Sequence, residues 1–189
     1  MKRVGLRIMG LLALGLLAGC GREAAPSLSP ELPAMTTTTP TVEQLLNLTY
    51  YDIVPEPVEL EDGHWVGSPF VAGSDARPVV NLVEETIRFG DLNGDGVDDA
   101  AVLLAVEDSA TGGGVWVAAV GVPLGQPSNF GSAFVGRQTE IRSIEITDAR
   151  WIHMKVLDGP PGKAPTQRWT KDWALVDGIL KQVSALVEP

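Results

Sequence analysis

The pattern of apolar and polar positions along most of this chain predicts β-strands. Ala100–Val106 is continuously apolar, which is typical of a strand covered on both faces. Val115–Val120 is a second apolar run after the glycine-rich turn Gly112–Gly114, and Val79–Phe89 alternates except at Glu84–Glu85. Several such segments at regular spacing, with few helical periods between them, indicate mainly antiparallel pairing.

Turn signals predict which of these segments pair. Asp62-Gly63 and Asp177-Gly178 are Asp-Gly dipeptides between strand-like segments, and this dipeptide favours the tight turns of hairpins. The predicted hairpins join Val58–Leu60 to His64–Val66, Ile141–Ile146 to Trp151–Leu157, and Trp169–Val176 to Ile179–Val187.

One short helix is predicted where the domain begins. Thr41 followed by Gln44 fits a capping box, in which each side chain accepts a hydrogen bond from the other residue's backbone N–H. Thr39 as the cap with Pro40 in the first turn is an equally good start. The residues at helical spacing that we expect to face the core are Val42, Leu45 and Leu46.

These elements predict a single mainly β (α+β) domain over residues 41–189. The expected architecture is an antiparallel curled sheet or small open barrel with one short N-terminal helix, and a β-sandwich is the alternative. The chain contains five tryptophans, in or beside predicted strands. We expect them to pack in the core or at its rim, because each ring buries a large area.

An acidic loop between Phe89 and Ala100 carries the strongest chemical signal in the chain. Oxygen ligands at alternating loop positions, with a glycine at the sixth position for the sharp turn, are typical of calcium loops. The predicted ligands are the side chains of Asp91, Asn93, Asp95 and Asp99 and the backbone carbonyl of Val97, and the glycine is Gly96. The alternative is a plain turn at Asn93–Gly96 without an ion. Magnesium fits the loop less well than calcium because it requires strict octahedral geometry.

The flanking segments distinguish this loop from a helix–loop–helix calcium hand. They are strand-like, and Val102 stands where that motif carries a glutamate. The loop instead resembles the strand–loop–strand calcium loops of FG-GAP repeats in integrin alpha subunits and of the related VCBS repeats. The resemblance covers residues 86–106 and implies that the same five positions hold calcium. Those repeats build propellers, whereas this chain has one copy and is too short for a propeller.

The N-terminus has the features of an export signal. Lys2, Arg3 and Arg7 precede the apolar run Ile8–Ala18, which is short for a membrane span. The following Leu17-Ala18-Gly19-Cys20 resembles the lipobox of bacterial lipoproteins. That resemblance implies that residues 1–19 are removed and that Cys20 carries acyl chains, palmitate among them, on its thiol and new amine.

Residues 20–40 are expected to be a disordered tether because they are rich in proline, serine and threonine. Gly21 is not the aspartate that favours inner-membrane retention of lipoproteins. The outer membrane or the cell surface is therefore the favoured location if the organism has two membranes.

The charge of the chain restricts its partners. The formal charge is −10, and loss of three basic residues with the signal moves it to −13. A chain this acidic is a poor candidate for binding nucleic acid or anionic lipid head groups, so the acyl chains would supply the membrane attachment.

The sequence favours a binding or structural role over catalysis. The only histidines are His64 and His153, and they are far apart in sequence. No nucleophile motif is present. The chain is similar to small bacterial lipoproteins that carry one such loop in a domain without an assigned activity. We therefore expect a membrane-anchored envelope lipoprotein whose domain is stabilised by one calcium ion. The alternatives are a metal-dependent hydrolase of envelope polymers and a partner-binding module with a Trp-lined groove.

Overall fold

The structure is a computed structural model that describes residues 37–69, 73, 75–108, 112–160 and 163–188. The predicted signal segment, Cys20 and most of the predicted tether lie outside these residues. All described elements belong to one compact unit, Ala34–Pro189. No helix in the described part of the chain has the length and apolar character to cross a membrane.

The described residues form one α-helix, two 3-10 turns and twelve strands, which confirms the predicted mainly β class. The helix is Val42–Leu46 (α1), and the 3-10 turns are Glu84–Thr86 and Pro123–Gly125. The strands are Thr49–Tyr50 (β1), Val58–Glu59 (β2), His64–Val66 (β3), Val79–Leu82 (β4), Arg88–Gly90 (β5), Asp99–Glu107 (β6), Gly114–Gly121 (β7), Ser128–Gly136 (β8), Thr139–Ile146 (β9), Ile152–Asp158 (β10), Gln167–Val176 (β11) and Ile179–Val187 (β12).

The strands pair antiparallel in three sheets. The largest has the order β3-β4-β6-β7-β8, with β5 also paired to β6, and the second has the order β12-β11-β10-β9. The third is the short ribbon β1-β2. No barrel closes among the described strands. The two larger sheets share a hydrophobic core, which is the arrangement of the sandwich alternative. They lie close together where Gly131 is beside Leu180 and where Gly90 is beside Ile146.

Strand β6 is buried on both faces, as its continuous apolar sequence predicted. Ala101 and Leu103 belong to the core between the two sheets, which we call the inter-sheet core. Val102 and Leu104 belong to a second core beneath the helix and the short ribbon, which we call the N-terminal core. Alternation along one strand therefore divides its side chains between the two cores.

The helix begins with the predicted capping box. The Thr41 backbone N–H donates to Gln44 Oε1 over 2.9 Å, and the Gln44 backbone N–H donates to Thr41 Oγ1 over 3.2 Å. Leu45 is fully buried and Leu46 packs against the N-terminal core. The prediction that Val42 faces the core was wrong, because the five-residue helix places only its last turn on the core and leaves Val42 39% exposed.

Two of the three predicted hairpins are present. Strands β9 and β10 pair as predicted, and β11 pairs with β12 across the Asp177-Gly178 turn. At Asp62-Gly63 the tight turn forms, but pairing across it stops after the single bridge between Glu61 and His64. Beyond that bridge β2 pairs with β1 and β3 pairs with β4, so the predicted hairpin of β2 and β3 was wrong.

Candidate metal site

The acidic loop joins β5 to β6, which are adjacent antiparallel strands. Gly90 and Asp99 form the last register pair before the loop. Leu92, the second residue of the loop, is 4% exposed and packs in the inter-sheet core. The loop is therefore fixed at its base by strand pairing and by one buried side chain.

Side-chain oxygens inside the loop accept hydrogen bonds from its own backbone. Asp91 Oδ1 accepts from the Gly94 N–H over 2.5 Å, and Asp91 Oδ2 accepts from the Gly96 N–H over 3.2 Å. Asn93 Oδ1 accepts from the Asp95 N–H over 2.8 Å, and Asp95 Oδ1 accepts from the Val97 N–H over 2.8 Å. These bonds turn the polar side chains toward the inside of the loop.

Asp99 is the deepest acidic group of the loop, with 2% of its surface exposed. Its Oδ2 accepts from the backbone N–H groups of Leu92 and Asn93 over 3.0 and 3.1 Å. Burial raises the pKa of Asp99 to about 6, against the lowering effect of these two hydrogen bonds. The negative charges of Asp95 and Asp91 contribute to the same rise in the pKa of Asp99.

The loop glycines permit this geometry. Gly94 and Gly96 have φ values of +88° and +83°, which residues other than glycine rarely adopt without strain. The role predicted for Gly96, to allow the sharp turn, agrees with its conformation.

The structure brings the four predicted side-chain ligands into one hydrogen-bonded loop. Asn93 Nδ2 lies 3.3 Å from both Asp95 Oδ2 and Asp99 Oδ1, so an amide N–H group stands between the two carboxylates. Within the described ranges, no three His, Cys, Asp or Glu side chains are gathered closely enough to hold a metal as they stand. The donor set is all oxygen and suits a hard cation, provided that Asn93 turns its Oδ1 toward the ion.

Arg150 is a charged neighbour of the loop that sequence reasoning missed. Its Nε lies 3.7 Å from Asp91 Oδ2. The guanidinium covers Gly94, where an added Cβ would lie 2.5 Å from Arg150 Nη1. Thr147, Asp148 and Arg150 of the turn between β9 and β10 line, with the loop, a cavity of about 350 Å³. Only the packing of the second sheet against the first brings these residues together, so no local signal could identify them.

A second polar cluster lies across strands β10, β11 and β12. His153 Nδ1 is 2.6 Å from Asp172 Oδ1, and Ser184 Oγ donates to Asp172 Oδ2. The carboxylate is thus central, and the serine hydroxyl bonds to the aspartate and not to the histidine. A hydrolytic triad needs the histidine next to the hydroxyl as its base, so this order does not activate Ser184.

The two histidines do not meet in one site. His64 lies on β3 of the larger sheet, where its Nδ1 is 2.8 Å from Asn81 Oδ1. His153 lies on β10 of the second sheet and is partly buried beside Asp172.

A buried lysine closes one end of the inter-sheet core. Lys171 is 8% exposed, and its Nζ donates to Val135 O over 2.9 Å and lies 2.5 Å from Asp158 Oδ2. Thr139 Oγ1 donates to the other oxygen of Asp158. These contacts join strands of both larger sheets, so they indicate a structural role for this cluster.

The acidic loop is therefore the polar cluster whose chemistry best fits a ligand. It offers hard oxygen donors and an incompletely compensated negative charge, whereas the other two clusters are paired internally. Comparisons of the chain with protein-family models, with curated proteins and with solved structures gave no match.

Proposed function

We propose that this chain is an exported lipoprotein of the cell envelope, anchored through acyl chains on Cys20, whose β domain is stabilised by one calcium ion. The acidic loop would hold the ion. The domain would then serve a structural or interaction role at the membrane surface, at the outer membrane or cell surface where two membranes exist.

The observation that carries the calcium proposal is the burial of Asp99 beside three more oxygen-bearing side chains. Asp99 is 2% exposed, and none of the described basic side chains forms an ion pair with it. A buried carboxylate without a counter-charge is costly, and a bound cation offsets that cost. The other candidate ligands are Asp91, Asn93 and Asp95 through side chains and Val97 through its carbonyl.

The ion would act as a staple between strands. Bound calcium neutralises the repulsion among the loop carboxylates, and it holds the ends of β5 and β6 together at the point where Leu92 enters the core. The chain's own residues then supply only binding and orientation, and no reaction step is required of them.

A metal-dependent hydrolase is the less favoured alternative. Metal-assisted hydrolysis needs an open coordination position and acid–base groups beside the ion. The cationic group found beside the loop is Arg150, and its guanidinium only donates hydrogen bonds, so it does not supply the base. A partner-binding module is favoured by a separate observation, a recess lined by the ring pair Trp116 and Phe134 and by no residue of the loop.

Thermal unfolding of Ala34–Pro189 with calcium and with chelator tests the staple. With about 5 mM calcium and a Kd of about 10⁻⁴ to 10⁻³ M, mass action adds about 1 to 2 kcal/mol to the free energy of unfolding. The midpoint should rise by about 2 to 8 °C, and magnesium should have a smaller effect.

Two substitutions with equal charge change provide the control. Asp95→Asn should abolish most of the calcium shift, because it weakens a ligand. Asp98→Asn should keep the shift, because Asp98 is exposed and lies outside the ligand alternation. A wild-type unfolding midpoint that is the same in calcium and in chelator would contradict the proposal that calcium stabilises the domain.

A further inference from the structure

A cavity with a basic lining lies on the second sheet and spans its strands β9, β10 and β11. Its volume is about 300 Å³. We call it the basic cavity, and the residues that line it are Arg142, Lys155, Val156, Leu157, Arg168 and Glu188. No residue of the acidic loop lines it, so its chemistry is separate from that of the proposed calcium site.

Strand pairing places two of the cations on one face of the sheet. Lys155 is exposed between two residues of β10 that are buried in the inter-sheet core, so its side chain points to the opposite, outer face. Lys155 pairs with Thr170, and Leu157 pairs with Arg168. Lys155 and Arg168 are therefore diagonal neighbours on the outer face, a separation that two long side chains can bridge.

A β-bulge adds the third cation to the same face. The register of β9 against β10 shifts between Lys155 and Val156, whose partners are Ser143 and Ile141, so Arg142 is the extra residue. Arg142 and Ser143 are consecutive and yet both are exposed, because the bulge interrupts the alternation of the strand. The bulge thereby directs Arg142 into the lining of the basic cavity beside Lys155.

The positive charges of the basic cavity are incompletely compensated. Among the residues that the structure describes, the side chains of Lys155 and Arg168 form neither an ion pair nor a hydrogen bond. Arg142 Nη1 lies 3.0 Å from Glu140 Oε1, but the two side chains are 56% and 49% exposed. An ion pair this exposed contributes little, so an incoming anion can compete for the guanidinium.

One carboxylate also lines the basic cavity. Glu188 Oε1 accepts a hydrogen bond from Thr170 Oγ1 over 2.8 Å, and in the described part of the chain Glu188 forms no ion pair with the three cations. The lining is thus net positive in a chain that carries 24 acidic and 14 basic residues. Neighbouring like charges on a sheet repel one another, and a bound anion would remove this repulsion.

We propose that the basic cavity binds a small, soluble, phosphate-bearing anion, held by Arg142, Lys155 and Arg168. A guanidinium donates two parallel hydrogen bonds to phosphate oxygens, and an ammonium adds a compact positive charge. The volume is at the small end of the range for ligand cavities, which suits one or two phosphate groups.

The overall charge of the chain favours a soluble anion over a lipid head group. A chain this acidic is repelled by an anionic membrane surface. Salt screens a small ion inside the cavity from carboxylates more than a Debye length away, so the nearby cations determine its binding.

Calorimetric titration of Ala34–Pro189 with pyrophosphate tests the proposal. The protein is kept metal-free, because the phosphate oxygens of the probe would also bind calcium. At about 20 mM salt we expect a Kd of about 10⁻⁴ M, and binding at least about tenfold weaker at 0.5 M salt, where the charges are screened.

Substitutions with equal charge change locate the site. Lys155→Gln and Arg168→Gln should each weaken binding by about fivefold, since each removes one of the three cations. Lys181→Gln is the matched control, because Lys181 is an exposed lysine on β12 of the same sheet and does not line the cavity. It should leave the Kd unchanged.

Removal of the lining carboxylate should have the opposite sign. Glu188→Gln should tighten pyrophosphate binding by about threefold, because it removes a repulsion. Glu145→Gln, the same change at an exposed residue of β9 outside the cavity, should have no effect.

Nuclear magnetic resonance of the wild-type protein gives a reading that needs no variant. Pyrophosphate should shift the backbone amide signals of Lys155 and Arg168 and leave that of Lys181 unmoved. Absence of binding at about 5 mM pyrophosphate, an unchanged Kd in both Lys155→Gln and Arg168→Gln, or an equal loss in Lys181→Gln would overturn the proposal. Binding to phosphatidate vesicles without binding of pyrophosphate would also overturn it, because the cations would then recognise a lipid surface.

Discussion

Asp99 is both buried and negatively charged, so its protonation affects the free energy of unfolding of the domain. Its folded-state pKa of about 6 is above the ordinary value of 3.8 for an aspartate. The folded state therefore binds a proton more tightly than the unfolded chain does. The stability that protonation of Asp99 contributes is complete below the unfolded pKa and is lost as the pH rises through about 6.

In chelator, the domain should consequently be more stable at pH 5 than at pH 7.5, by about 1 kcal/mol from this group. Urea unfolding at several pH values measures the difference. Asp99→Asn should flatten the dependence, because the amide does not titrate in this range, and Asp98→Asn should leave it in place. Parallel pH profiles for wild type and Asp99→Asn would show that burial of Asp99 does not set the profile.

Residue positions in the loop were predictable from sequence because the hydrogen-bonded loop is local. Asp91, Asn93, Asp95 and Gly96 lie within six consecutive residues, and their spacing alone places the side chains on the inside of the turn. The contact with Arg150 was not predictable, because 59 positions separate it from Asp91 and only the packing of the two sheets joins them. The Trp-lined groove was predicted without its residues, since Trp116 and Phe134 meet only through the pairing of β7 with β8.

At the scale of elements, strands with a strong local signal were predicted and weak ones were not. Strand β6 has an unbroken apolar run, and β11–β12 has an Asp-Gly turn, so both were identified. Strand β8 reads Ser-Asn-Phe-Gly-Ser-Ala-Phe-Val-Gly, with two glycines and little alternation. It forms because β7 offers it an open edge, and two register shifts along the pair accommodate its irregular sequence. The two-residue strand β1 likewise has no signal of its own.

Because β6 is buried on both faces, two neighbouring leucines should contribute about equally to the free energy of unfolding, each through a different core. Leu103→Ala opens a cavity in the inter-sheet core and Leu104→Ala opens one in the N-terminal core. Each should lower the free energy of unfolding by about 2 to 5 kcal/mol. Leu186→Ala on β12, where the leucine is 66% exposed, should change it by less than about 0.5 kcal/mol. If only one of the two core variants is strongly destabilised, β6 is covered on a single face; chemical denaturation distinguishes these results.

At the scale of the whole molecule, the net charge of the chain and its lipid anchor would have opposite effects on membrane attachment. The chain carries 24 acidic and 14 basic residues, so anionic head groups repel it. Under the lipoprotein proposal, membrane attachment then comes from the acyl chains on Cys20, and several chains hold far more firmly than one. Salt screens charges but does not weaken the burial of acyl chains, so salt should separate the two kinds of attachment.

Membrane fractions from cells that express the full chain provide the test. The wild-type protein should stay with membranes after a wash in about 1 M salt, where the Debye length falls to about 3 Å, and detergent should release it. It should also incorporate a palmitate analogue, and Cys20→Ser should abolish the label because it removes the acylated thiol. Ser29→Ala, a change of similar size in the same tether, should leave the labelling and the attachment intact. Retention of unlabelled Cys20→Ser in the salt-washed membranes would mean that a different part of the chain holds it there, and the lipid anchor would have to be abandoned.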